Sequence, residues 1–284
     1  MEFWITQAFN GISYGALLFL LASGLSLIFG VMRIVNLAHG SYFLLGGYLG
    51  LTTARATGSF LLAIAAGACG VGVIGLAMER FFLRRLERQA LAQVLMTMGF
   101  ALVFQDLAQL IWGGDPETIP VPPLLAGSLH AGVLYFPTYR LFIVGVAVAV
   151  GGALWFFHER TRAGAMIRAA VDDREMAQGV GIDVPRLSMA VVALGAFLAA
   201  LGGVVGGGFI GVYPGLEFEV LPYAFVVVIV GGLGSLPGVV VGSLVVGLLD
   251  NFGKALFPEL SYFTLFAPMA LILALRPTGL FGKA

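Results

Sequence analysis

Long apolar stretches, separated by short polar or glycine-rich breaks, fill most of this chain. The runs fall near 5–30, 37–55, 59–79, 91–112, 139–158, 187–211, 219–233, 238–257 and 260–276. A helix needs about 20 mostly apolar residues to cross about 30 Å of hydrocarbon at a rise of about 1.5 Å each. The runs lack the alternation of barrel strands. The first is long with no basic segment before it, so it is not read as a cleaved leader. The pattern predicts an all-α polytopic membrane protein, one domain over 1–284, with about 8–9 transmembrane helices. The interrupted second run and the break at 231–238 are the candidates for broken or re-entrant helices.

Composition sharpens this. Hydrophobic residues make up 60% and charged residues 11%, against about 25% charged in a soluble domain. Too few polar side chains remain to cover a water-exposed surface, and disorder is excluded by the same numbers. The net charge is zero, and no basic cluster with interleaved aromatics points to nucleic acid. The single cysteine, Cys69, allows no internal disulfide, and neither it nor a lone histidine makes a metal site. Glycine is abundant, with 41 residues, much of it inside the apolar runs, where small residues let helices approach closely.

Charge placement predicts topology. Arg80, Arg84, Arg85 and Arg88 follow the third run, and Arg160, Arg162, Arg168, Arg174 and Arg186 follow the fifth. Arg276 and Lys283 follow the last, and Arg33 sits in the first break. Cytoplasmic loops collect Lys and Arg, so these positions are placed inside, leaving Arg55, Arg140 and Lys254 outside. The stretches 113–138 and 212–222, the latter with Glu217 and Glu219, then face out. Nine crossings put the N-terminus outside and the C-terminus in the cytoplasm; one re-entrant run reduces the count to eight.

Candidate chemistry concentrates in four places. Asn36, His39, Gly40 and Ser41 lie in a break between apolar runs, where polar groups are costly unless they meet partners or water. Both a capped cytoplasmic turn and a pathway lining fit. Gly231, Gly232, Gly234 and Ser235 open a second break ending in Pro237 and Gly238, which no helix can continue through unchanged. Paired interrupted segments point to a transport route. Asp106, between Gln105 and Gln109, is read as the one carboxylate well inside a run; a substrate-path or proton role competes with a water-facing acid. Segment 158–186 carries a candidate capping box, Asp172 as N-cap with Glu175 three residues on, starting a short helix through Met176 that Gly179 or Gly181 stops. Its apolar Met166, Ile167, Val180 and Ile182 suit docking on a soluble partner.

No phosphate-binding loop occurs, since Gly253-Lys254-Ala255 lacks the spacing and the hydroxyl. No metalloprotease, serine-hydrolase or paired-cysteine site occurs either. The chain is therefore not read as an enzyme, and a nucleotide, if used, is bound by another subunit.

The stretch Gly24-Leu25-Ser26-Leu27-Ile28-Phe29-Gly30-Val31-Met32-Arg33-Ile34-Val35-Asn36-Leu37-Ala38-His39-Gly40 resembles the signature of branched-chain amino acid ABC transporter permeases of the LivH type. Three more stretches agree: Arg168 through Glu175 to Asp183, Gly231 to Gly238, and Arg276-Pro277-Thr278-Gly279-Leu280-Phe281-Gly282. The likeness spans almost the whole chain, and permeases for urea or for aromatic and other small carboxylates look similar. Asp106 departs from the neutral or amide residue expected there. The resemblance implies an ABC importer permease fold in a bacterial or archaeal cell or inner membrane, with no cofactor in this chain. It implies a second, LivM-like permease, two ATP-binding subunits holding ATP and Mg, and an extracytoplasmic solute-binding protein. Residues 164–183 then form the coupling region, with Arg168, Asp172, Asp173, Arg174, Glu175, Met176, Gly181 and Ile182 as its candidates. A secondary transporter or channel is the other class considered. It would need no docking helix and would carry more buried ionisable residues than the one read here.

Overall fold

The computed structural model describes residues 2–87, 89–131, 134–276 and 278–282. Arg88, Pro277 and Lys283, which figure in the charge and tail readings above, lie outside the described residues. Eleven α-helices occur among those described: α1 Glu2–Met32, α2 His39–Thr57, α3 Phe60–Phe81, α4 Ala90–Trp112, α5 Thr138–Arg160, α6 Arg162–Asp172, α7 Arg174–Gly179, α8 Val184–Gly207, α9 Leu216–Gly231, α10 Leu236–Leu256 and α11 Ser261–Leu275. One antiparallel hairpin, β1 Ser128–Ala131 with β2 Leu134–Pro137, lies in the long connection before α5.

Nine helices cover the nine apolar runs, and α6 and α7 fill the long polar gap. By length and composition six of them suffice to cross a membrane: α1, α3 with its extension to Leu86, α4, α5, α8 and α10. Three fall short, α9 with 16 residues and α11 with 15 on length, and α2, with 19, on composition.

The core is built from α1, α2, α8 and α9. Leu20, Ala22, Tyr42, Leu44, Tyr48, Ala199 and Val204 are fully enclosed. In contrast α3, α4 and α5 turn large apolar side chains outward, among them Leu61, Val73, Leu91, Leu110, Val148 and Trp155. Such a surface is stable against lipid and not against water. Glycine permits the close packing inside. A Cβ added at Gly203 would overlap the Phe43 carbonyl, one at Gly46 would overlap Ala200, and one at Gly24 would overlap the Gly195 carbonyl.

Two helix ends lie deep in the bundle. His39 Nε2 is 2.9 Å from the Leu21 carbonyl oxygen. Leu21 is about 16 Å along α1 from its end at Met32, at about 1.5 Å per residue. The six-residue break therefore climbs back into the bundle before α2 begins. From the other side, α8 stops at Gly207, four residues before the apolar run does. Its last turns pack on Leu17 and Phe43, and Gly207 meets Ile119 and Val212. The backbone of Glu117 exchanges two hydrogen bonds with Val212, 2.9 and 2.7 Å, and Ile119 donates to the Gly207 carbonyl at 3.2 Å. Positive φ at Gly211 and Gly215, 82° and 103°, turns the chain into α9. Glu217, in the stretch placed on the outer side, is 1% exposed, and its backbone abuts Gly40 at the start of α2. The apolar run hid this because glycine at 206–208 and 211 is as apolar in pattern as it is poor at holding a helix.

Candidate functional site

The first break is organised by Asn36. Its Oδ1 accepts from the Ala38 N–H at 3.0 Å and its carbonyl from the His39 N–H at 3.2 Å, an Asx-type turn that starts α2. The Leu37 N–H donates to Thr97 Oγ1 of α4 at 3.1 Å. Arg33 ends α1 with φ of 56°, a left-handed conformation, and its guanidinium donates to the Val171 carbonyl of α6 at 3.1 Å. Asn36, His39 and Ser41 are all buried within the protein. The first break therefore combines a turn with polar groups buried inside the bundle, and Glu217 joins them there through Gly40.

The second break is a close crossing of α9 and α10. A Cβ at Gly231 would overlap Gly238, and Gly232 and Gly234 adopt φ of 105° and 76°. Ser235 caps α10, accepting from the Gly238 N–H at 3.2 Å. The C-terminal segment docks on the end of α9, Leu280 N–H donating to Val230 and Phe281 N–H to Gly231, both at 2.9 Å.

A cavity of about 640 Å³ joins these parts at the arginine-rich end. Gly30, Arg33, Arg168, Asp172, Gly234 and Ser235 are among its lining residues. The second break, the foot of α1 and helix α6 thus share one chamber. Asn36, His39 and Ser41 do not line it. Asp106 stands apart, exposed on α4, nine residues and so about 13 Å along the helix from Thr97, which touches the first break.

Beyond α6, the short helix α7 starts one residue later than the sequence suggested. Asp172 is the last residue of α6, and Asp173 is the N-cap, its Oδ1 accepting from the Met176 N–H at 2.9 Å. Glu175 then occupies the second helical position and does not close a box with Asp172, because α6 runs on through Asp172, whose neighbour's N–H still bonds back to Ala169. Replacing Asp173 with Ala is expected to cost about 0.5–2 kcal/mol of local helix stability, and Asn should restore most of it; amide hydrogen exchange across 174–179 measures both. Arg174 pairs with Glu87 between α3 and α4. Ile182 N–H returns to the Ala177 carbonyl at 3.0 Å and Gly181 takes φ of 91°, a glycine-closed helix end. The exposed apolar side chains here are Met176, 64% exposed, on α7, Val180, 71% exposed, just after it, and Met166 on α6.

Sequence reasoning counted one intramembrane carboxylate, and the structure corrects this. Glu79, Glu217 and Asp250 lie within helices, each 3% exposed or less. Asp250 pairs with Lys254 at 2.8 Å, one turn on in α10. Among the described residues no group of three metal-binding side chains is found.

A helical bundle with lipid-type outer surfaces, two helix breaks and a chamber at one end has the architecture of a multi-pass membrane protein. Residues 7–275 match the family model described as branched-chain amino acid transport system, permease component, and the chain belongs to that family. It is 29% identical to the high-affinity branched-chain amino acid transport system permease protein LivH of Escherichia coli, over 99% of this chain and 96% of the relative. It is 28% identical to BraD of Pseudomonas aeruginosa, of the same description, with the same coverage. A probable LivH of Methanocaldococcus jannaschii is 27% identical over 85% of this chain and 78% of its own length. No solved structure gives a significant match.

Proposed function

We propose that this chain is the permease subunit of an ATP-driven importer for branched-chain or related small amino acids. It works beside a second, LivM-like permease, with two ATP-binding subunits that hold ATP and Mg and an extracytoplasmic binding protein. The arginine-rich end faces the cytoplasm of a bacterial or archaeal cell, which puts the N-terminus outside and the C-terminus inside. The first break with Asn36, His39, Gly40 and Ser41, and the second with Gly231, Gly232, Gly234 and Ser235, are the parts of the bundle that respond when the partners move. Asp106 is not needed for passage.

One observation carries this reading: α6 and α7 present Met166, Met176 and Val180 to the surface at the arginine-rich end, while their other side is tied to both the foot of α1 and the α3–α4 connection. A secondary transporter or channel has no use for an apolar docking face there. Co-expression of the tagged chain with the ATP-binding and permease proteins of such a system tests it. A stable complex with ATP hydrolysis stimulated by loaded binding protein is expected. Purification of the chain as a self-sufficient transporter, indifferent to nucleotide, would replace this reading with the secondary-transporter one.

A further inference from the structure

A polar and aromatic cluster lies on α1, α9 and α10, toward the end of the bundle opposite the chamber. Tyr14 and Tyr223 meet edge to face with ring centroids 5.9 Å apart. The Lys254 ammonium sits over both rings, 5.7 and 5.5 Å from their centroids, and 2.8 Å from Asp250 Oδ2. Tyr213 donates to Glu219 Oε2 at 2.8 Å. Asp250 is 3% exposed, and its Oδ1 has no hydrogen-bond partner among the described residues.

Three features set this cluster apart from an ordinary membrane face. It lies deep, Tyr14 about 18 Å along α1 from Glu2 and Asp250 about 9 Å from the end of α10. Glu219 and Lys254 are exposed in the first turn of α9 and the last turn of α10, so the charged rim of the cluster lies at the helix ends while the Asp250 carboxylate lies buried beneath it. A lysine near a helix end facing lipid extends its ammonium outward to the interface. Lys254 does the reverse and turns back onto Asp250. Finally, Asp250 pairs with Lys254, while Glu219 is bonded by the Tyr213 hydroxyl and has no ion-pair partner among the described residues, so a carboxylate beside aromatic rings is left to attract a further cation.

We propose that this face lines the outer half of the translocation route and receives a zwitterionic amino acid. The α-ammonium is held by Glu219 and the rings of Tyr14 and Tyr223, and the α-carboxylate shares Lys254 with Asp250. The proposal rests on the importer reading and names where the solute first meets this chain. A bound carboxylate competes with Asp250 for Lys254, so occupancy is short, as a route requires.

The test uses cells carrying the complete transporter with Cys69→Ser as parent, which removes the native thiol. Tyr223→Cys and Lys254→Cys are added singly, with Val148→Cys on the exposed apolar face of α5 as the lipid-facing control. A membrane-impermeant thiol reagent is applied from outside. Labelling at 223 and 254 is expected at least tenfold faster than at 148. Glu219→Gln, which preserves size, is expected to raise the KM for L-leucine at least tenfold with little change in maximal rate. Labelling no faster than the control, or an unchanged KM in Glu219→Gln, would each overturn the proposal. Uptake by the parent tests the importer reading alone and labelling rate tests the face alone, so the two fail separately.

Discussion

A methyl group at Gly203 is expected to prevent α2 and α8 from closing. The added Cβ would overlap the Phe43 carbonyl and press on the Gly47 nitrogen, both backbone atoms of a helix that cannot yield alone. Overpacking of this kind costs about 1–3 kcal/mol and occasionally more, and Gly203→Ala belongs at the upper end because no side-chain rotation relieves it. Gly145 on α5 has open space around it, so Gly145→Ala should be neutral or gain up to about 1 kcal/mol from reduced backbone freedom. Unfolding midpoints of the purified variants in one detergent compare them directly. Equal midpoints would mean that the glycine contacts do not hold the bundle together.

The second large effect concerns the surface of α7. Met176→Asp combined with Val180→Asp puts two charges where the proposed ATP-binding subunit docks. Losing one apolar anchor at the centre of an interface costs about 2 kcal/mol, roughly thirtyfold in affinity, and two charges cost more. Uptake should fall at least tenfold while the unfolding midpoint stays at the parent value, because both side chains are exposed and outside the core. Normal uptake would leave α7 as a solvated turn with no docking role.

Much of this architecture was readable along the chain, because each helix buries or exposes a continuous apolar length. The nine runs became nine helices, and the short helix in the polar segment was visible through its acidic cap and closing glycines. The cap was misplaced by one residue, since Asp172 and Asp173 are equivalent in pattern and only the length of α6 decides between them. The two breaks were legible as breaks. Their depth was not: whether 33–38 is a surface turn or climbs toward Leu21 depends on which helix α2 packs against, and that contact is far away in sequence. The burial of Glu217 was not legible for the same reason, as nothing local tells that α8 stops early and that Ile119 packs against Gly207 at its end. The cluster of Tyr14, Glu219, Tyr223, Asp250 and Lys254 left no signal either. Its members come from three helices, and the one local cue was Asp250 and Lys254, one helical turn apart.

The central claim is that α6 and α7 connect this bundle to an ATP-hydrolysing partner. The most direct measurement is a cysteine cross-link from Met176→Cys or Ile182→Cys, in the Cys69→Ser chain, to the surface of the ATP-binding subunit, read together with solute-stimulated ATP hydrolysis in Asp173→Ala. The account predicts a cross-link from at least one position and weakened stimulation when the α7 cap is lost. No cross-link from either position, with full stimulation in Asp173→Ala, would contradict it.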